Sequence, residues 1–588
     1  MDFTVQPAAL NSKPPERQPD ARDAFYQAVK DEMPSYLTLE KNCFFGKKWG
    51  DKYCSAFRVK ALVRSQTTQN WSRLVELLNP IGELVECTIP EGKLTGKPRE
   101  AIALLSDRGL KVFDDDYIRR VLHIVGNWPV KPEAHLTQVE QIGWVPEHDA
   151  FILTSGRVLG KPDAGPRYCF SGTQAGKEIG DLDSWRKGVA SLAVGNPNLI
   201  FAISLGFSTA LMPFTDLNTT IFHLFGRTTK GKTRVLRAAL SVWPRVGTKE
   251  KTWEGTANGL EGEIAKSHST LMGLDELRAD ATPDLPAIIY KFANGSTKAR
   301  GKKEGGVQDR ASWNTAVLST GEQSFVEAIK SLRTLPTGGQ GVRMLDIPAE
   351  GEFGVFDELH SCETSDDFVR ALDKAVKQSA GPAGAAFVDR MLGVSTEQLE
   401  EDIEASSRRC GLLLQQHLGI VTGDDKTAEI RRVIASFALV AAAGELASQM
   451  DLTGWEKGMA LHAVQVIAAR WLEARTKAPV DQPEDIKRLR DYLGENPARL
   501  IPISEARSSL TTNILGYQDE AFFYLLPAPF VTLMSGKARV NALLNALDQA
   551  GLLASGGEEK SMQFRLPSSV PSRPRAYRIR RSILTFEP

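Results

Sequence analysis

The chain has 588 residues, too many for one ordinary domain, so three or four units are expected. Its 72 basic and 72 acidic residues cancel, which excludes a global field that would drive it onto a polyanion; such a contact needs a local basic cluster. A hydrophobic content of 42% is that of a globular protein, and the longest apolar stretches, such as LIFAISLGF at 199–207, read as too short to span a bilayer, so no membrane contact is expected.

The polar start carries no apolar signal core. The cysteines at 43, 54, 87, 169, 362 and 410 form no CxxC pair, and reduced thiols in a cytoplasmic protein are the expectation.

In chain order, residues 1–22 read as a disordered tail and 23–180 as an α+β N-terminal domain. From Arg58 to Pro90 apolar and polar residues alternate between turn signals, which predicts antiparallel strands. SGTQAGKEIGDLDS, 171–184, is a Gly-rich boundary loop. Residues 185–393 then open with two apolar helices broken at Gly195-Asn196-Pro197, and strands alternate with helices as a mostly parallel α/β sheet requires. Residues 394–476 are helical, with AEIRRVIASFALVAAAGELASQ read as amphipathic. A Pro-bearing linker precedes the last unit, 485–588. There KARVNALLNALDQAGLL predicts a helix, two strands follow, and Lys560, Arg565, Arg573, Arg575, Arg578, Arg580 and Arg581 make the end basic, a pattern that resembles a winged helix.

The chemistry is concentrated in the α/β stretch. HLFGRTTKGKTRVLRAAL, 223–240, holds Gly226-x4-Gly231-Lys232-Thr233 between a β-branched, aromatic strand and a helix. Strand, glycine loop and helix N-terminus make an anion cradle. The glycines let backbone N–H groups close on phosphates, Lys232 reaches the β/γ-phosphates and the Thr233 hydroxyl ligates Mg²⁺. ATP and Mg²⁺ are thus the expected ligands. An apolar strand, STLMGLDEL, ends in Asp275, for the Mg²⁺ shell, and Glu276, to polarise the attacking water. A third strand, SWNTAVLSTGE, offers Ser319 or Thr320 to the γ-phosphate or the water, and Arg343 at the edge of GQGVRMLDIP has no local acid, as suits a finger acting on a neighbouring subunit. Between the second and third strands, Lys298, Arg300, Lys302 and Lys303 lie among glycines, which predicts a basic hairpin for a phosphate backbone.

WRKGVASLAVGNPNLIFAIS, HLFGRTTKGKT, TWEGTANGLEG, LDEL, ANGSTKAR, VLSTGE, VRMLDIPA and FALVAAAGELA together resemble the DUF927 family of mobile-element proteins, over roughly 58–475. Some relatives are MCM-like hexameric helicases of staphylococcal cassette elements. The resemblance implies an AAA+ core of the superfamily 3/MCM type, with the basic hairpin gripping single-stranded DNA in a central channel. It implies an Arg343 acting in trans, and an Arg from the helical lid, Arg431 or Arg432, sensing the γ-phosphate. The chain departs from the pattern in having no Asn at the end of the third strand. The expectation is a ring-forming, hexameric, ATP-driven DNA helicase or translocase serving mobile-element replication, with an initiator protein as a partner. Its rivals are an ATP-gated assembly switch and a DNA-sensing defence or recombination ATPase.

Overall fold

The computed structural model describes residues 21–46, 50–66, 70–161, 167–172, 176–227, 231–246, 250–278, 282, 284–297, 312–331, 341–420, 427–477, 482–506, 514–534, 540, 543–544, 546–548, 550–554 and 563–586. The chain divides into two compact units, one of residues 1–177 with 388–396, the other of 178–387 with 397–588.

The first unit is built on a mixed five-stranded sheet. Its strands are β1 (Phe57–Ser65), β2 (Trp71–Leu78), β3 (Leu84–Pro90), β4 (His135–Val139) and β5 (Tyr168–Phe170), in the order β5-β4-β1-β2-β3. The alternation from Arg58 onward is the antiparallel meander β1-β2-β3, and β4 adds to β1 in parallel. Phe57, Val59, Val75, Leu77 and Ile89 are buried with residues of helices α1 (Pro98–Ser106) and α2 (Ile118–Gly126). A stripe of apolar residues at helical spacing meets one sheet face, so both lose apolar surface to water together.

In the second unit a short helical stretch, 182–193, precedes α3 (Pro197–Leu211), which is started by a proline at its first turn and buried on every side. Residues Pro197–Phe214 are long and apolar enough to pass for a membrane span, which the sequence reading did not allow, but 83% of that stretch is buried inside the fold. It is a core helix. A five-stranded, wholly parallel sheet lies against it: β6 (Ile221–Phe225), β7 (Lys251–Thr252), β8 (Met272–Leu277), β9 (Val317–Gly321) and β10 (Met344–Pro348), in the order β7-β8-β9-β6-β10. Between the strands run α4 (Lys232–Leu240), α5 (Leu285–Ala293) and α6 (Phe325–Ser331).

Three long helices follow: α7 (Thr396–His417), α8 (Thr427–Gln449) and α9 (Met459–Lys477). The sequence reading takes α8 as amphipathic; instead it is buried almost all round from Val433 to Ala447. Phe437 explains why, since its ring meets Phe201 of α3, Phe222 of β6 and Trp471 of α9 at centroid distances of 6.0, 5.4 and 5.8 Å. A helix touched from three directions needs apolar residues on all of them.

The last part holds α10 (Gln482–Glu495), β11 (Leu500–Pro502), β12 (Gly516–Gln518), β13 (Phe522–Leu525), α11 (Pro527–Leu533), β14 (Gln563–Arg565) and β15 (Arg575–Arg580). Its sheet order is β11-β12-β13-β15-β14. Val540, Leu543, Leu544 and Leu547, the apolar positions of the expected helix, are buried together with Tyr577 and Ile579 of β15. The two C-terminal strands were legible; β11, β12 and β13, of three or four residues each, were not.

Candidate nucleotide site

The sheet's parallel strands all end on one edge, and β6 delivers the chain there into Gly226 and Arg227; residues 228–230 lie outside the described residues. Gly231 caps α4 with φ +95°, and a Cβ on it would meet the Phe356 ring at 2.7 Å. Both the left-handed backbone and the close ring require glycine. Lys232 donates to the carbonyls of Gly226 and Arg227, both at 2.8 Å. Burial holds its ammonium below the ordinary lysine range, against the opposing pull of Glu322 and Asp275.

The pairing of β8 with β9 is irregular between Leu274 and Leu277, so Asp275 and Glu276 sit in a bulge. Glu276 has φ +55° and is exposed, while Asp275 is half-buried. A bulge re-aims side chains, and a non-glycine residue in the left-handed region stores about 1 kcal/mol or more. Here successive carboxylates diverge from the strict alternation of a strand. Asp275 turns to the P-loop helix, where the Thr233 hydroxyl donates to its two oxygens at 3.0 and 3.3 Å. The Thr320 hydroxyl, from β9, donates to the same carboxylate.

Ser319 and Thr320 point to opposite faces of β9, and only Thr320 reaches Asp275. Ser319 is buried in a relay among His223, Trp253 and the segment after β9. The Gln323 carbonyl, which can only accept, lies 2.9 Å from His223 Nε2, so Nε2 carries the proton. Burial pushes the imidazole down to about 4, with the Gln323 carbonyl opposing and Lys232 reinforcing, so the ring is neutral. Nδ1 therefore accepts from the Ser319 hydroxyl at 2.8 Å, and Ser319 Oγ accepts the Trp253 indole N–H at 2.9 Å. The relay ties the P-loop strand to Gly321-Glu322-Gln323; a Cβ on Gly321 would meet His223 Cε1 at 2.8 Å.

Arg343 lies at the start of β10, where its carbonyl accepts from Ile221 N at 2.8 Å, the end of the sheet opposite the P-loop. Its guanidinium sits 5.1 Å from the centre of the Tyr290 ring on α5. Lys298, Arg300, Lys302 and Lys303 lie outside the described residues, but the ends of their segment are joined by an antiparallel bridge, Ser296 to Ser312, and by Trp313 N donating to Gly295 O at 2.8 Å. Arg431 and Arg432 are exposed on the first turns of α8. Asp346 of β10 caps α6, accepting from Phe325 N at 2.8 Å and Val326 N at 3.3 Å.

Sequence reasoning missed the floor of the site. Asn196 and Asn198, wholly buried at the start of α3, hold the loop after β10: Asn196 Oδ1 accepts from Asp357 N and Glu358 N at 2.8 and 3.0 Å, and Asn198 Nδ2 donates to Val355 O at 2.7 Å. That loop carries Phe356, the ring packed on Gly231. The signal was the polar pair in GNPNLIF, since an asparagine on an otherwise apolar helix needs a buried partner.

Residues 47–312 match the family model described as "Domain of unknown function (DUF927)". The chain carries a DUF927 domain. The matched stretch runs through the P-loop, the acidic strand and the whole basic segment and ends at Ser312, so β9 and Arg343 fall beyond the DUF927 domain. No curated protein matches the chain. Among solved structures, one titled "SCCmec type IV Cch - active helicase" superposes over 94% of this chain and 99% of its own, with TM-score 0.65 and 16% identity. The DUF927 domain and the regions after it share that fold. The apo structure of the NrS-1 C-terminal region covers 66% of this chain and 87% of its own at TM-score 0.26 and 11% identity, too low to carry an argument.

Proposed function

We propose that the chain is an AAA+ ATPase that assembles into a ring and uses ATP hydrolysis to move on or unwind DNA, in the manner of the mobile-element helicases it resembles. The observation that carries this reading is the meeting of Lys232, Thr233, Asp275 and Thr320 from three elements on one edge of a parallel sheet. The left-handed Gly231 cradle at the start of a helix suits a phosphate, and a hydroxyl beside a carboxylate is a hard-oxygen donor set for a small divalent cation. Thr233 and Asp275 would hold Mg²⁺, which when bound neutralises charge on the transferred phosphoryl group. Lys232 binds the β/γ-phosphates, Glu276 orients and polarises the attacking water, and Thr320 fixes the Asp275 carboxylate. In this reading α7, α8 and α9 form the lid, from which Arg432 senses the γ-phosphate, and the C-terminal sheet with its helices is a winged helix.

Arg343 supports assembly. Five strand residues at about 3.3 Å each put it roughly 16 Å from the P-loop of its own subunit, beyond the reach of an arginine side chain. A role in hydrolysis therefore requires a neighbouring subunit. The bridged base at Ser296 and Ser312 suits a hairpin that presents Lys298, Arg300, Lys302 and Lys303 to DNA in the ring's channel.

ATP turnover with and without single-stranded DNA, followed by strand displacement on a forked duplex, tests the reading. Wild type should show DNA-stimulated turnover and displacement, and Glu276→Gln neither. Stimulated turnover without displacement would replace the helicase by a DNA-sensing switch.

A further inference from the structure

The C-terminal hairpin β14-β15 carries an arrangement that folding alone disfavours. Arg565 and Arg575 face each other directly across the antiparallel ladder, both exposed. Directly opposed side chains stand about 5 Å apart at Cβ, so like charges there are destabilising. Among the described residues neither has an ion pair or a side-chain hydrogen bond. The turn between the strands places two successive non-glycine residues, Ser572 and Arg573, in the left-handed region, with φ +56° and +44°. That strain brings a third guanidinium to the same tip, where Arg573 Nε donates to Leu566 O at 3.3 Å and the side chain stays outward.

Two other cations of this end are engaged in the fold. Arg578 lies 4.8 Å from the ring centres of both Phe522 and Phe564, and Arg581 donates to the Asp519 carbonyl at 3.0 Å. Arg565 and Arg575 share their sheet face with Tyr577 and Ile579, the face covered by the buried helix residues Leu543 and Leu547, and they continue it outward.

We propose that Arg565, Arg573 and Arg575 form a contact for the phosphate backbone of duplex DNA. An anion bridging the opposed pair removes the repulsion that the free protein carries. The half-buried aromatic rings of this sheet, Phe522 and Phe564, lie on its opposite face and are capped there by Arg578, so the face of Arg565 and Arg575 offers charge and no stacking platform. Single strands are held by stacking as well as charge, whereas duplex backbone is held by charge alone. The proposal rests on the reading of the chain as a DNA-acting ATPase and adds a duplex contact distinct from the basic segment at 298–303.

The test uses full-length protein carrying Arg565→Gln/Arg575→Gln, measured on a blunt duplex and on a single strand across a salt series. Duplex affinity should fall, and its dependence of log affinity on log salt should flatten by about 0.9 per lost contact, about 1.8 for the pair. Single-strand affinity should move less, and ATP turnover without DNA should be unchanged. The unfolding midpoint should stay level or rise, because the variant relieves like-charge repulsion; a merely structural pair would lower it. An unchanged duplex salt slope overturns the proposal, as does an equal loss on both DNA forms with a lowered midpoint. Failure of the ATPase reading would show separately, as wild-type protein without turnover while the duplex slope still responds.

Discussion

Replacing Ser319 by alanine separates a structural from a catalytic reading of the third strand. The hydroxyl is wholly buried and completes two hydrogen bonds, accepting from Trp253 Nε1 at 2.9 Å and donating to His223 Nδ1 at 2.8 Å. Alanine leaves both nitrogens buried without partners. The space freed is one oxygen atom, too small to admit a water that could stand in. Each orphaned group costs about 1–3 kcal/mol, so Ser319→Ala should destabilise by about 2–6 kcal/mol. Thr320→Val should behave in the opposite way. Its hydroxyl lies on the half-buried Asp275 carboxylate, so its loss should cost little stability but slow ATP turnover by mispositioning that carboxylate. Urea unfolding followed by tryptophan fluorescence, alongside steady-state turnover on the same preparations, reads both quantities. Ser319→Ala protein of wild-type stability and abolished turnover would refute the relay and return Ser319 to the catalytic set.

Gly231→Ala should lose nucleotide affinity and about 2–4 kcal/mol of stability, from the left-handed φ and the 2.7 Å approach to Phe356; Gly231→Ala/Phe356→Leu should recover part of it in a double-mutant cycle. The His223 pKa is depressed to about 4, so its contribution is fully present above about 6.5 and is lost as pH falls from there through 4, by roughly 3 kcal/mol. Asp346, pushed up to about 7 by burial, acts oppositely, favouring the fold below about 3.8 and losing that as pH rises through 7. The measurable signature is therefore a shallower acid-side loss of stability in His223→Phe than in wild type, and equal slopes would contradict it. In the proposed ring, mixing Arg343→Ala with Lys232→Ala protein should restore some hydrolysis by pairing an intact P-loop with an intact Arg343 on the neighbouring subunit; no recovery despite co-assembly would rule out action in trans. Lys302→Ala/Lys303→Ala should leave nucleotide binding intact, flatten the single-strand salt slope by about 0.7 per contact and reduce unwinding more than basal turnover, whereas an unchanged slope and unwinding would remove the segment from the mechanism.

The amino-acid sequence by itself determined the local chemistry. Gly226, Gly231, Lys232 and Thr233 stand together within eight residues, and a strand of alternating or apolar residues on one side and a helical pattern on the other follow from nearest-neighbour preferences. Asp275 was legible in the same way, as an acid at the end of an apolar run. Tertiary structure alone decided which polar residues serve the site and which serve the core. Ser319 and Thr320 are adjacent and chemically alike, and only the register of β9 against β6 and β8 turns one to His223 and the other to Asp275. The Glu276 left-handed bulge, the Asn196 and Asn198 clamps on the loop of Phe356, and the burial of α8 on all sides depend on partners 150 or more residues away or on packing from several directions. Local sequence constrains a residue's own backbone and period; long-range packing selects which face of that residue meets solvent, ligand or core, because the selecting groups are brought together only when the chain folds.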